Sequence, residues 1–345
     1  MTKRIEYIDA LRGVTMILVA FNHVLRSAFG DRSIAYNDLI VQFRMPLFFF
    51  ISGWVFYKVE RVWNRKTVIA LLKKKFMVQI VPTMLFLFLY LYLNDILSFS
   101  SFGTTKYGYW FTLVLFEFFA LYMLAGFLFQ RNAGDSKGEW LMFLFVAALS
   151  CASFYYSKYY SRYAVELGWV KTAAGLFSFV GMRFFIFFWF GTYVRKHFGK
   201  FIEWTNNQYV MAGAVILFVL MAISPQLFLM AGIELVAYVL MGICGIVIAF
   251  TFFRVKENYF KKERPLGRVL QYVGRRTLDI YLLHFFFLPQ DLVSLGQFLG
   301  VYDNKPIGLV VGVGIAVMVV AMSLLVSELI RLSPFLGHYL FGAKR

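Results

Sequence analysis

Apolar residues run along this chain in long blocks, separated by short polar or basic connections. The blocks fall at about 10–29, 39–57, 76–94, 109–129, 140–157, 173–194, 207–224, 232–253, 277–297 and 306–328. Each approaches the ~20 residues that an α-helix needs to cross ~30 Å of hydrocarbon. The pattern predicts an all-α polytopic membrane protein of about ten transmembrane helices. A single membrane-embedded domain over residues 1–345 is expected, with no separate soluble domain and no internal repeat. The first block follows a basic N-terminus, as a signal peptide would. Arg12, Asn22 and His23 interrupt it, and a small-x-small cleavage site is missing, so a retained helix is expected.

The polar residues inside the blocks carry the chemical information. Arg12 and His23 stand eleven residues apart in the first block. Eleven steps of about 100° bring a helix back to within roughly 20° of its start, so both side chains share one face, about 16 Å apart. At 1.5 Å per residue, His23, Arg44, Glu117, Arg183, His284 and Asp291 fall at roughly 10–22 Å from one membrane surface. Ionisable groups at such depth are costly and usually face a bundle interior or a wet cavity. Plainer readings stand beside this one. Arg12 lies near the membrane surface and could snorkel to it. A lone histidine is often a hydrogen-bonded packing residue. Arg44, Glu117 and Arg183 could serve as ion pairs between helices.

Composition supports the membrane class. The 345 residues are 61% hydrophobic, 20% aromatic and only 15% charged, against about a quarter charged in soluble domains. The net charge of +17 would suggest nucleic acid on a soluble protein. Here the basic residues sit between apolar blocks and alternate in density. Lys58 to Lys75 and Arg254 to Arg276 fall in one set of connections, with Lys3, Arg4, Arg131, Lys344 and Arg345. The sparse set holds Arg26, Arg32, Lys106, Lys158, Arg162, Lys171 and Lys305. Positive-inside bias then places both termini in the cytoplasm, and no nucleic-acid partner is expected. Cys151 and Cys244 lie in apolar blocks without metal-ligand spacing and read as free thiols. No metal site is expected.

Four motifs, in order, resemble those of the acyltransferase family 3 membrane enzymes, which include O-antigen and fucose-4-O-acetylase-like proteins. They are Ile8-Asp9-Ala10-Leu11-Arg12-Gly13 with His23; Arg44-Met45-Pro46-Leu47-Phe48-Phe49-Phe50-Ile51-Ser52-Gly53; Tyr109-Trp110-Phe111; and Leu278-Asp279-Ile280-Tyr281-Leu282-Leu283-His284. The likeness spans nearly the whole chain. It departs before the third block, where Lys73-Lys74-Lys75 replaces some of the arginine that many members carry and Gln79 stands where a basic residue is common.

The resemblance implies transfer of an acyl group, acetyl in the simplest case, from acetyl-CoA or another acyl-CoA to a hydroxyl of a cell-envelope glycan or lipid-linked sugar. It places the enzyme in a bacterial inner membrane, with acyl-CoA as co-substrate and no bound cofactor. His23 is then the general base, Arg44 the oxyanion partner and Arg12 a holder of the donor. Lys73, Lys74 and Lys75 offer positive charge to CoA phosphates, although positive-inside bias alone would put lysines there. Glu117, Trp110, Arg183, His284 and Tyr281 are candidates for binding substrate. Membrane lipid is the constant partner, and homo-oligomerisation stays open. A transporter or flippase of a lipid-linked saccharide needs a similar polar interior and is the alternative. A structural subunit of an envelope complex is a third reading, in which substitutions at His23 or Arg44 leave function intact.

Overall fold

The computed structural model describes residues 5–30, 34–59, 61–101, 103, 106–129, 136–160, 168–224 and 233–342. Lys3, Arg4, Arg32, Arg131, Arg162, Lys344 and Arg345 of the charge pattern lie outside the described residues. The protein is 86% helical, with no strand among the described residues.

Among the described residues, seven helices are long and apolar enough to cross a membrane: Glu6–Ala28, Ile34–Phe56, Arg65–Leu93, Trp110–Phe129, Lys137–Tyr159, Glu234–Val255 and Lys305–Arg331. They correspond to seven of the ten expected blocks. The other three do not form long straight spans, each for a local reason. Block 207–224 belongs to a pair, Phe198–Asn206 and Gln208–Ile223, bent by 81°, and counts as an eighth span if the pair is one. Asn207 is extended at the bend and its side chain caps the second helix by accepting from Tyr209 N at 2.9 Å. Block 173–194 divides into helices Gly168–Leu176 and Phe185–Lys196, joined through a 3₁₀ stretch, Phe179–Phe184, after Ser178 in the left-handed region at φ 48°. Block 277–297 divides into a helical stretch Thr277–Phe287 and a short helix Val293–Phe298, with irregular backbone between. Leu288 turns extended immediately before Pro289, as a residue preceding proline tends to do.

The described residues form two compact units. The first comprises Met1–Ile51 and His197–Ile330. Its organising contact is the helix Glu6–Ala28 against Pro265–Arg275. Glycines permit the approach: a Cβ at Gly13 would strike the Leu270 carbonyl, and one at Gly274 the Asp9 carbonyl. Small residues let membrane helices come this close. Gly312, on Lys305–Arg331, lies against the Phe21 ring and Leu25 on another part of the same first helix. The far end is tied down by Ser27 Oγ donating to Pro289 O (2.9 Å) and Leu292 N donating to Ala28 O (3.0 Å). Edge-on contacts of Phe250 with Tyr7 and Phe50 fill the core.

The second unit comprises Ser52–Lys196 and Arg331–Arg345. Its core is aromatic: Phe118 stacks on Phe185 at 4.8 Å, and Phe56, Phe119 and Tyr122 surround Phe188. Gly53 is required here, because a Cβ would meet the Phe188 carbonyl. The long helix Arg65–Leu93 contains a π-helical turn at Phe76–Ile80 just before Pro82. Proline has no N–H to continue the ladder, and π turns absorb such breaks. The two cysteines are free, Cys244 buried and Cys151 half-buried.

Candidate active site

Arg12 and His23 both lie on the uninterrupted helix Glu6–Ala28, as their spacing predicts. Arg12 Nη2 donates to Thr277 Oγ1 at 2.6 Å. Thr277 opens the short helix Thr277–Leu283 that carries Tyr281 and ends at His284. The close crossing at Gly13 and Gly274 therefore sets the register between the two motifs. Two residues beyond Thr277, buried Asp279 accepts from Ser327 Oγ at 2.6 Å, fixing this short helix to Lys305–Arg331.

At the other end of the same helix, the His23 ring centroid lies 5.2 Å from that of His284 and 5.1 Å from Phe285. His284 is 0% exposed, whereas His23 is half-buried. Tyr281 packs at 5.8 Å from the His284 ring. Next to His23, Asn22 Nδ2 donates to Asn37 Oδ1 at 2.9 Å, both buried, which fixes the start of the following helix. That helix carries Arg44, whose Nε and Nη1 are buried without a hydrogen-bond partner. Arg44 and Arg26 are both near enough to act electrostatically on His23. The structure thus brings His23, His284, Tyr281 and Arg44 into one neighbourhood. Asp291, expected at membrane depth, is instead exposed in the irregular stretch after Phe287, at φ 56°.

In the second unit, Trp110 and Glu117 sit on the helix Trp110–Phe129. Trp110 stacks on Phe184 at 6.1 Å, beside Arg183, whose guanidinium lies 5.0 Å over the same ring. Arg183 Nη1 donates to Ser157 Oγ at 3.3 Å. Glu117 bonds Ser178, and Lys106 supplies its charged neighbour. Lys106 was read from sequence as one more loop charge. It is buried, and its ammonium donates to Gly175 O (2.7 Å), Leu176 O (3.1 Å) and Ser178 Oγ. It thereby adds a donor to carbonyls at the end of the helix Gly168–Leu176, where Gly175 O also accepts from Ser178 N at 3.1 Å. Burial holds the Lys106 ammonium below the ordinary lysine range, and the Glu117 charge opposes that shift. A lysine three residues before a buried Tyr109 was the available signal.

The three lysines differ. Lys73 and Lys74 are exposed, while Lys75 sits 3.6 Å over the Phe119 ring. Gln79, the departure from the family pattern, is buried, and Nε2 donates to Thr112 O at 2.5 Å. An amide suits that acceptor without a buried charge. Among the described residues no cluster of metal-ligating side chains occurs.

The long apolar helices and the histidine–arginine neighbourhood inside them define a multi-pass helical membrane protein with an ionisable interior. A family model described as an acyltransferase domain matches residues 5–326 of the 345, and the chain belongs to that family, acyltransferase family 3. No curated protein and no solved structure matches the chain.

Proposed function

We propose that the protein transfers an acyl group, acetyl in the simplest case, from acyl-CoA to a hydroxyl of a cell-envelope glycan or lipid-linked sugar. It works in a bacterial inner membrane with both termini in the cytoplasm. The observation that supports this reading best is His23, half-buried and packed beside His284, in a chain of an acyltransferase family. A sugar hydroxyl is a poor nucleophile at neutral pH, and a positioned imidazole can take its proton as it attacks. His23 is that base. The oxygen attacks the thioester carbonyl, and the resulting oxyanion is met by unpartnered N–H groups of Arg44. Fixed donors in a low-dielectric setting stabilise such charge strongly. Collapse breaks the C–S bond, and the thiolate leaves with the electron pair and takes the proton from His23. Arg12 and Lys73, Lys74 and Lys75 are assigned to the donor, and Glu117, Trp110, Arg183 and Tyr281 to substrate binding.

The test is release of free thiol from acetyl-CoA by purified protein supplied with membrane-extracted glycan. Wild-type protein is expected to release thiol in step with acceptor acylation. A transporter would release none.

A further inference from the structure

His284 Nδ1 lies 2.8 Å from Tyr281 O and 3.1 Å from Ile280 O. A carbonyl oxygen only accepts, so Nδ1 carries the ring proton and Nε2 is a bare lone pair. That Nε2 is buried and meets no hydrogen-bond partner. An unmet buried acceptor costs about 1–3 kcal/mol, so a donor is wanted there. The polar ring beside it is His23, 5.2 Å away between centroids and tilted by 55°. Phe285 packs on both rings, at 4.0 Å from His284 and 5.1 Å from His23. Exposure separates the two imidazoles. His284 is 0% exposed, while His23 is half-buried, so His23 is the one of the pair assigned to the substrate.

We propose that His284 is a positioning residue for His23: in the substrate complex its Nε2 accepts the N–H of neutral His23, which turns the other His23 nitrogen, as a lone pair, toward the acceptor hydroxyl. The chain of bonds runs from the backbone carbonyls of Tyr281 and Ile280, through the His284 ring, to His23 and then to substrate. It rests on the reading of His23 as the base. The balance is simple. The hydroxyl proton passes to His23 as the O–C bond forms, and His23 returns it to the departing thiolate, while His284 neither gains nor loses a proton. Its contribution is to choose the His23 tautomer and orientation, which decide whether an imidazole can act as a base at all.

The experiment uses membrane vesicles from cells expressing the full chain, with acetyl-CoA labelled on the acetyl group, and follows label into the vesicles' own glycans. Wild type is compared with His23→Ala, His284→Phe and His284→Gln. Phenylalanine fills the space but cannot accept. Glutamine can donate to the Tyr281 carbonyl and accept from His23. His284→Phe is expected to lower kcat on the order of 10²-fold, with KM for acetyl-CoA little changed, and His284→Gln to recover about tenfold of that loss. Should His284→Phe fail to insert, His284→Leu makes the same comparison. Full activity in the phenylalanine or leucine variant overturns the proposal, and so does a glutamine variant no better than either. Those results leave acyl transfer itself standing if wild type is active and His23→Ala is not. No transfer by wild type instead removes the acyl-transfer reading, and this inference with it.

Discussion

The roles proposed for His23 and Arg12 depend on what holds them. The Arg12 guanidinium is anchored on Thr277, and lysine, a point charge without the planar fork, is a poor replacement. Arg12→Lys is expected to lower transfer at least about tenfold, since one misplaced hydrogen bond to a charged group is worth roughly 1.5–3 kcal/mol; labelled-acetyl incorporation checks this, and full activity contradicts it. Lys106 has a structural task. Lys106→Met removes the ammonium donor to the Leu176 carbonyl and one of the two donors to the Gly175 carbonyl. A loss of about 1–3 kcal/mol is expected, read as a lowered Tm in detergent, while an unchanged Tm contradicts the assignment. At this scale the sequence was partly legible. Arg12, His23, Arg44 and His284 stand out because charge inside an apolar block is rare. Thr277, Ser178 and Asn37 do not stand out, because their importance comes from partners on other elements. Lys106 lies in the connection to which the sequence assigned it, but its burial was not legible, because burial of a single lysine leaves no periodic trace.

Among the elements, the crossing of Glu6–Ala28 over Pro265–Arg275 fixes most. Both glycines at that crossing face backbone carbonyls, and backbone cannot yield as a flexible side-chain tip can. Gly13→Ala or Gly274→Ala is therefore expected to push the helices apart, costing about 1–3 kcal/mol as overpacking does. Activity is expected to fall with stability, because Arg12 and Thr277 would lose register. Thermal unfolding alongside labelled transfer measures both, and a Gly274→Ala variant with wild-type Tm and activity would count against the crossing. The breaks in three apolar blocks were harder to read. Composition reports how greasy a segment is and not whether its helix is continuous. The break at 277–297 carried a visible sign in Pro289, and the bend before 207–224 had one in Asn206-Asn207. The break at Ser178 had little, since it depends on Lys106 supplying donors to the helix end.

The whole molecule follows the broad sequence pattern: helical, multi-pass, and a member of acyltransferase family 3. The hydrophobic blocks establish the class because nothing else in water or membrane has that pattern. The proposed reaction rests on a few ionisable side chains placed among them. The proposed orientation, with both termini in the cytoplasm, rests on the uneven Lys and Arg content of the connections. Reporter tags at both termini are expected to be protected in intact cells and exposed in inverted vesicles; labelling of either terminus in intact cells contradicts that orientation. The central claim is that His23 drives acyl transfer to envelope glycan. It is tested most directly by mass spectrometry of envelope glycans from cells expressing wild-type protein or an equally abundant His23→Ala variant. The account predicts a mass increment of one acyl group with wild type and none with the variant. The same increment in both would contradict it.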